Sequence, residues 1–234
     1  DGLYMGAPFY AEYALRYNRP DDFSDVVNQF LVVASHTYDP ATGLYRHAFD
    51  ASGKMAWADS VTGQAPHAWG RAIGWFTMAI VDVLDFLPRD QPGRDELTGI
   101  LQGIVNKLSE IQDPATGGWY QVPDRSGAEG NYIETSCTAM FAYSIFKGVR
   151  MGYLDGKYLA VAEKAYLGLL DNFIVTNPDG TVSMKNICGV AGLGGNPYRD
   201  GSYEYYIGEV IRDNDPKGVG PFIMASLEYE MIRK

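Results

Sequence analysis

The chain has 234 residues, with 19 Lys and Arg against 29 Asp and Glu for a net charge of -10, and 46% of it is hydrophobic. That is enough to bury one large core and too apolar for a disordered chain, while the acidic balance leaves no basic face for a phosphate backbone and argues against nucleic acid as a partner. No run reaches the ~18 apolar residues of a membrane helix, Cys137 and Cys188 make no disulfide framework, and the histidines come without a CxxC or HExxH motif, so neither a membrane, a metal nor another cofactor is expected.

The chain opens on Asp1-Gly2-Leu3-Tyr4-Met5, with no initiator methionine, basic n-region or apolar signal segment, and so reads as a piece of a longer chain. With no targeting signal to argue from, the cytoplasm is the favoured compartment and the periplasm and exterior stay open. Residues 3–17 are rich in Ala, Met and aromatics with hardly a polar face, the pattern of a helix buried on several sides. Over 21–38 the pattern changes: Phe23, Val26, Val27, Phe30, Leu31 and Ala34 form one apolar stripe on a helix with a wet back, capped by Asp21 or Asp22. The two kinds then alternate, with inner helices over 66–87, 133–150 and 218–233 and amphipathic outer helices over 96–112 and 158–175.

Links from inner to outer helices are short, at 18–20, 88–95 and 151–157, whereas the returns at 39–65, 113–131 and 176–217 are long. The long loops therefore share one rim, and loops of that size in a compact domain usually carry function. Asp39-Pro40-Ala41-Thr42-Gly43-Leu44-Tyr45 recurs as Asp113-Pro114-Ala115-Thr116-Gly117-Gly118-Trp119-Tyr120, which implies a repeated helical hairpin. A single all-α domain over 1–234 is expected, an α/α toroid with a central pocket. Seven helices are fewer than a closed double ring uses, which predicts further helices upstream.

The rim concentrates Asp1, His47, Asp59, His67, Trp69, Arg71, Trp75, Trp119, Tyr120, Glu134, Asp200, Tyr203, Glu204 and Lys217. Aromatic faces stack on the apolar side of a pyranose while carboxylates, Arg and His serve its hydroxyls and any acid group, so an oligosaccharide is the partner this mixture suits. Loop aromatics can equally cap a core. In Trp69-Gly70-Arg71-Ala72-Ile73-Gly74-Trp75, Arg71 and Trp75 stand four residues apart on one helix face, either as an anion-and-ring pocket or as a structural cation–π pair. Gly192-Leu193-Gly194-Gly195 lacks the Lys-Ser/Thr of a phosphate loop, and Cys188 has no nearby histidine to activate it.

Four stretches, Asp1 to Phe9, Leu44 to Asp50, Trp57-Ala58-Asp59 with Trp69 to Trp75, and Asp200 to Tyr206 with Asn214 to Phe222, resemble the unsaturated rhamnogalacturonyl hydrolases of glycoside hydrolase family 105. The resemblance runs the length of the chain and covers about the last two thirds of a family member. It implies an (α/α)6 barrel and removal of a 4,5-unsaturated uronic acid from the non-reducing end of pectin-derived oligosaccharides. By motif, Asp1 matches the catalytic aspartate, and His47, Arg71 and Trp75 match residues around the unsaturated ring; Trp69 and Lys217 are taken with them as substrate-binding. The family's first third, with a second acidic residue, has no counterpart here.

The resemblance implies Asp1 as proton donor to C4, Arg71 as the uronate anchor and His47 as an orienting group. On that view Arg71→Lys weakens transition-state binding and leaves the fold intact. Three other readings stay open: the related family 88 glucuronyl hydrolases, with the same chemistry on glycosaminoglycan fragments, a non-catalytic carbohydrate-binding toroid, and a helical interaction scaffold.

Overall fold

A computed structural model describes all residues, Asp1–Lys234. Each stretch read as helical in the sequence is a helix. The inner row runs α1 (Gly2–Arg16), α3 (Gly70–Leu84), α5 (Thr135–Arg150) and α8 (Pro216–Ile232), each packed on the next. Outside it lie α2 (Asp22–Thr37), α4 (Arg94–Ile111) and α6 (Leu159–Phe173), with α2 on α1, α4 on α3 and α6 on α5. The eighth helix, α7 (Tyr203–Ile207), is a short one inside the last rim loop that periodicity does not show.

Burial follows the two sequence patterns. α5 buries 14 of its 16 residues and so lies wholly inside, while α4 buries only Leu97, Leu101, Ile104, Val105 and Leu108, one stripe at helical spacing. These faces meet in one cluster of 39 buried residues that extends from Ala7 on α1 to Ala225 on α8. At the two ends of the inner row the apolar faces continue into solvent, through Met5 and Phe9 on α1 and Ile223 and Leu227 on α8. α1 buries only Ala7, Ala11 and Ala14, and α8 only Gly218, Pro221, Ala225 and Glu228, so both end helices are buried on one side where their composition suggested helices buried on several. Asp21 occupies the N-cap position of α2 without a side-chain cap bond, and Asp22 pairs instead with Arg19 at 2.6 Å.

The repeated Asp-Pro-Ala-Thr-Gly motif is a repeated turn. Asp39 accepts from the Ala41 amide and the Thr42 hydroxyl, and Asp113 from the Thr116 amide and hydroxyl; the Gly43 and Gly117 amides close on the Asp39 and Asp113 carbonyls at 2.8 and 2.9 Å. Both glycines sit at a φ of 72°, which a residue with a side chain adopts only under strain. The first turn joins β1 (Tyr38–Asp39) to β2 (Leu44–Tyr45). After α6 the same position holds a looser version, Asn177-Pro178-Asp179-Gly180, joining β3 (Ile174–Thr176) to β4 (Val182–Met184). Each of the first two turns rests on the next outer helix: Gly43 lies against Lys107 of α4, and Gly117 against Lys164 of α6. At Gly168 of α6 an added Cβ would stand 1.7 Å from the Thr116 carbonyl oxygen, so helix and turn touch backbone to backbone. A last ribbon pairs β5 (Ile187–Cys188) with β6 (Ile211–Arg212) on the same rim.

Candidate active site

The N-termini of all four inner helices open on the rim, and the six residues singled out in the sequence meet there. Asp1, His47, Trp69, Arg71, Trp75 and Lys217 line one cavity of about 270 Å³ together with Ala72, Val190, Ala191 and Gly192. A second chamber of about 290 Å³ shares Asp1, His47, Ala72 and Trp75 and extends over Tyr45, Ile73 and Phe76.

Asp1 precedes the first turn of α1 and makes no side-chain cap bond, so its carboxylate is free to serve the cavity. Trp75, on the second turn of α3, stacks on Tyr4 at 4.8 Å and 24° between planes, which fixes the indole against α1. Lys217, on the first turn of α8, holds Asp215 at 2.7 Å while 37% of its side chain stays exposed. Burial alone would raise the Asp215 pKa, but hydrogen bonds from the Lys217 side chain and amide and the Lys217 charge outweigh it and lower the carboxyl below its usual range.

Arg71 is held more tightly than its sequence context suggests. Nε donates to Ser136 Oγ at 2.8 Å, Nη1 to the Gly189 carbonyl at 3.3 Å, and Nη2 to Glu134 at 3.2 Å and to the Cys188 carbonyl. Four of the five N–H groups of a guanidinium are thereby used. Glu134 in turn caps α5 by accepting from the Ser136 and Cys137 amides, and accepts from the Cys188 amide of β5 at 2.9 Å. One buried pair thus joins α3, α5 and β5, so the view that Arg71→Lys spares the fold does not fit this geometry. The stacking partner of Arg71 is Trp69, 5.4 Å from its Cζ to the ring centroid, rather than Trp75.

His47 follows β2 and lies 4.7 Å from the Trp69 ring, with Nδ1 2.6 Å from the hydroxyl of Tyr206. Burial, reinforced by the positive charge of Arg199, lowers its pKa to about 4, so the ring is neutral near pH 7. Other rim residues fall elsewhere. Trp119 is fully buried with its indole donating to the Leu108 carbonyl, which is the core-capping role. Asp59 is turned back on the Val61 and Thr62 amides of its own loop. His67 pairs with Asp124 at 2.7 Å, and Asp124 also meets Arg46 at 3.4 Å.

Gln121 and Tyr206 support the site and carry no local sign of it in the sequence. The one sequence signal for Tyr206 is its place in the Asp200 to Tyr206 stretch, whose motif gives it no role.

An α/α toroid whose loop rim holds a free carboxylate, a neutral imidazole, two indoles and two cations in one pocket has the make-up of a carbohydrate-processing enzyme. Residues 1–233 match the model of Glycosyl Hydrolase Family 88, and the chain belongs to that family of glycoside hydrolases. It is 39% identical over 239 residues to Protein Atu3128 of Agrobacterium fabrum, covering 98% of this chain and 100% of that one. It is also 28% identical over 188 residues to Unsaturated rhamnogalacturonyl hydrolase YesR of Bacillus subtilis, covering 80% of this chain. A solved glycoside hydrolase of family 105 from Clostridium acetobutylicum superposes with a TM-score of 0.96 at 46% identity over 98% of this chain. The chain spans 64% of that structure's length and 51% of YesR's.

Proposed function

We propose that this chain carries the reaction centre of an unsaturated uronyl hydrolase, which removes a 4,5-unsaturated uronic acid from the non-reducing end of an oligosaccharide by hydrating its C4=C5 bond. The observation that supports this most is that Asp1, whose side chain makes no cap bond, lines the same 270 Å³ cavity as Trp75, His47 and Lys217. The substrate's double bond is an enol ether conjugated to a carboxylate. Protonated Asp1 gives its proton to C4, oxocarbenium character develops at C5 and the ring oxygen, and water adds at C5 as the ionised Asp1 takes a proton from it. The hemiketal so formed opens the ring and releases the aglycone without attack at the anomeric carbon, so the carboxylate-spacing rule for retaining and inverting glycosidases does not govern this site.

The uronate needs a cation. Lys217 is the more accessible of the two that line the cavity, and Arg71 adds the single N–H its buried bonds leave over. Global steering would repel an anionic substrate from a protein of charge -10, so these local cations must supply the attraction. The likeness to YesR and to a family 105 structure favours a rhamnogalacturonan-derived fragment over a glucuronide. The test is the loss of ultraviolet absorbance from unsaturated rhamnogalacturonan and glycosaminoglycan disaccharides, assayed side by side. Absorbance that persists with both substrates overturns the reading, and decay of the glycosaminoglycan disaccharide alone overturns the rhamnogalacturonan assignment.

A further inference from the structure

We infer that Tyr206 is a positioning residue that fixes His47 as the tautomer protonated on Nε2, so that the cavity meets a hydrogen-bond donor at this position and not a base. Tyr206 is fully buried, and His47 Nδ1 at 2.6 Å is the one hydrogen-bond partner of its hydroxyl. A buried phenol must donate its proton to avoid the cost of an unmade bond, and a ring nitrogen can accept only when it carries no proton. Nδ1 is therefore bare, and in a neutral imidazole the proton then sits on Nε2. Burial holds both groups in the forms this needs, keeping His47 neutral and pushing the Tyr206 hydroxyl well above its ordinary pKa. Nε2 has no partner within the protein, and the sole buried side-chain polar atom lacking one is the Tyr132 hydroxyl, so Nε2 is open to the cavity that His47 lines.

The phenol is itself held in place by a chain of bonds whose directions chemistry dictates. The Trp69 indole can only donate, so the amide oxygen of Gln121 must face it, at 3.1 Å. That leaves the amide nitrogen of Gln121 to donate to the Tyr206 carbonyl at 3.2 Å and to Cys188 Sγ at 3.1 Å. Ser202 Oγ caps α7 from the other end through the Tyr205 amide at 3.1 Å. One amide thus ties the ring that His47 packs against to the helix that carries the phenol. The use to which the Nε2 proton is put, holding a substrate oxygen or the attacking water, rests on the uronyl hydrolase reading; the tautomer does not.

The two are separated by experiment. Nitrogen-15 long-range correlation spectra of the full chain, with His47 assigned by its loss in His47→Gln, should show a protonated Nε2 and a bare Nδ1 at pH 7. A protonated Nδ1 overturns the inference, and this measurement on the wild-type chain does not depend on whether Tyr206→Phe folds. In Tyr206→Phe the ring should become a mixture of tautomers and kcat/KM on the unsaturated disaccharide should fall roughly 3- to 10-fold, the scale of one hydrogen bond. An unchanged tautomer in Tyr206→Phe overturns the inference, whatever happens to activity. A wild-type chain with the expected tautomer and no turnover leaves it standing and counts against the uronyl hydrolase reading alone.

Discussion

The guanidinium of Arg71 and the carboxylate of Glu134 meet at 3.2 Å with 1% and 0% of their side chains exposed. Their partners lie on α3, α5 and β5, so the pair fastens the floor of the pocket before any substrate arrives. Removing one member of such a pair leaves the other charged and buried, at a cost of about 3–5 kcal/mol. Glu134→Ala and Arg71→Met should each lose stability on that scale in urea denaturation. Arg71→Lys should follow with a smaller loss, because an ammonium cannot reproduce four planar hydrogen bonds. Stability within error of wild type for all three would show the pair to be dispensable.

Asp1→Asn should behave in the opposite way. Its side chain caps nothing, so the melting temperature should not move, while hydration of the double bond should slow by ~100-fold or more for want of a transferable proton. Retained turnover would exclude Asp1 as the proton donor.

Lys217→Met keeps the aliphatic stem and removes the charge. KM for the unsaturated disaccharide should rise roughly tenfold, the size of one charge-assisted contact, with kcat less affected and Lys217→Arg restoring most of the loss. A change confined to kcat would argue that Lys217 acts on the transition state instead.

Stability should depend on His47 in acid. Its pKa falls from 6.5 in the open chain to about 4 when folded, so between those values the unfolded chain binds a proton that the folded chain refuses. The contribution of the neutral ring is whole above pH 6.5 and drains as pH falls toward 4, with a slope of at most about 1.4 kcal/mol per pH unit. Denaturation midpoints of His47→Gln should vary less with pH over this interval than those of wild type. Parallel profiles would contradict the assigned burial.

Gly168→Ala should destabilise by about 2 kcal/mol, the cost of forcing a methyl into packed backbone. The added Cβ would collide with the Thr116 carbonyl at 1.7 Å. Gly103→Ala on the open side of α4 has nothing within 4 Å of the new Cβ and should be neutral or stabilising by up to ~1 kcal/mol. Thermal unfolding of the two variants separates the effects of packing and propensity.

What the sequence made legible was local. The stripe from Phe23 to Ala34, the Ala- and Met-rich inner helices and the two Asp-Pro-Ala-Thr-Gly turns all follow from spacing within a few residues. Asp1, His47, Trp69, Arg71, Trp75 and Lys217 were grouped by motif, and they share a cavity. Their bonding was hidden because it is set by distant partners. Arg71 is claimed by Glu134 and by carbonyls 117 and 118 residues away, and Tyr206 reaches His47 across 159 residues. Trp119 has the same local look as Trp69, yet a carbonyl of α4 draws its indole into the core.

The turns that follow α2 and α4 bear on how such a scaffold diversifies. Gly43 against Lys107 and Gly117 against Lys164 key each outer helix to the end of the one before it, and the Gly168 contact allows no axial slip. These keys set the level at which the first two loops leave the outer helices, whereas Gly180 in the third turn meets nothing within 4 Å, so the loop that carries Tyr206 starts without one. The exposed stretch 51–56, which lies beyond the first key and lines neither chamber around Asp1, can therefore lengthen or exchange sequence without shifting the helices beneath it or the residues around Asp1.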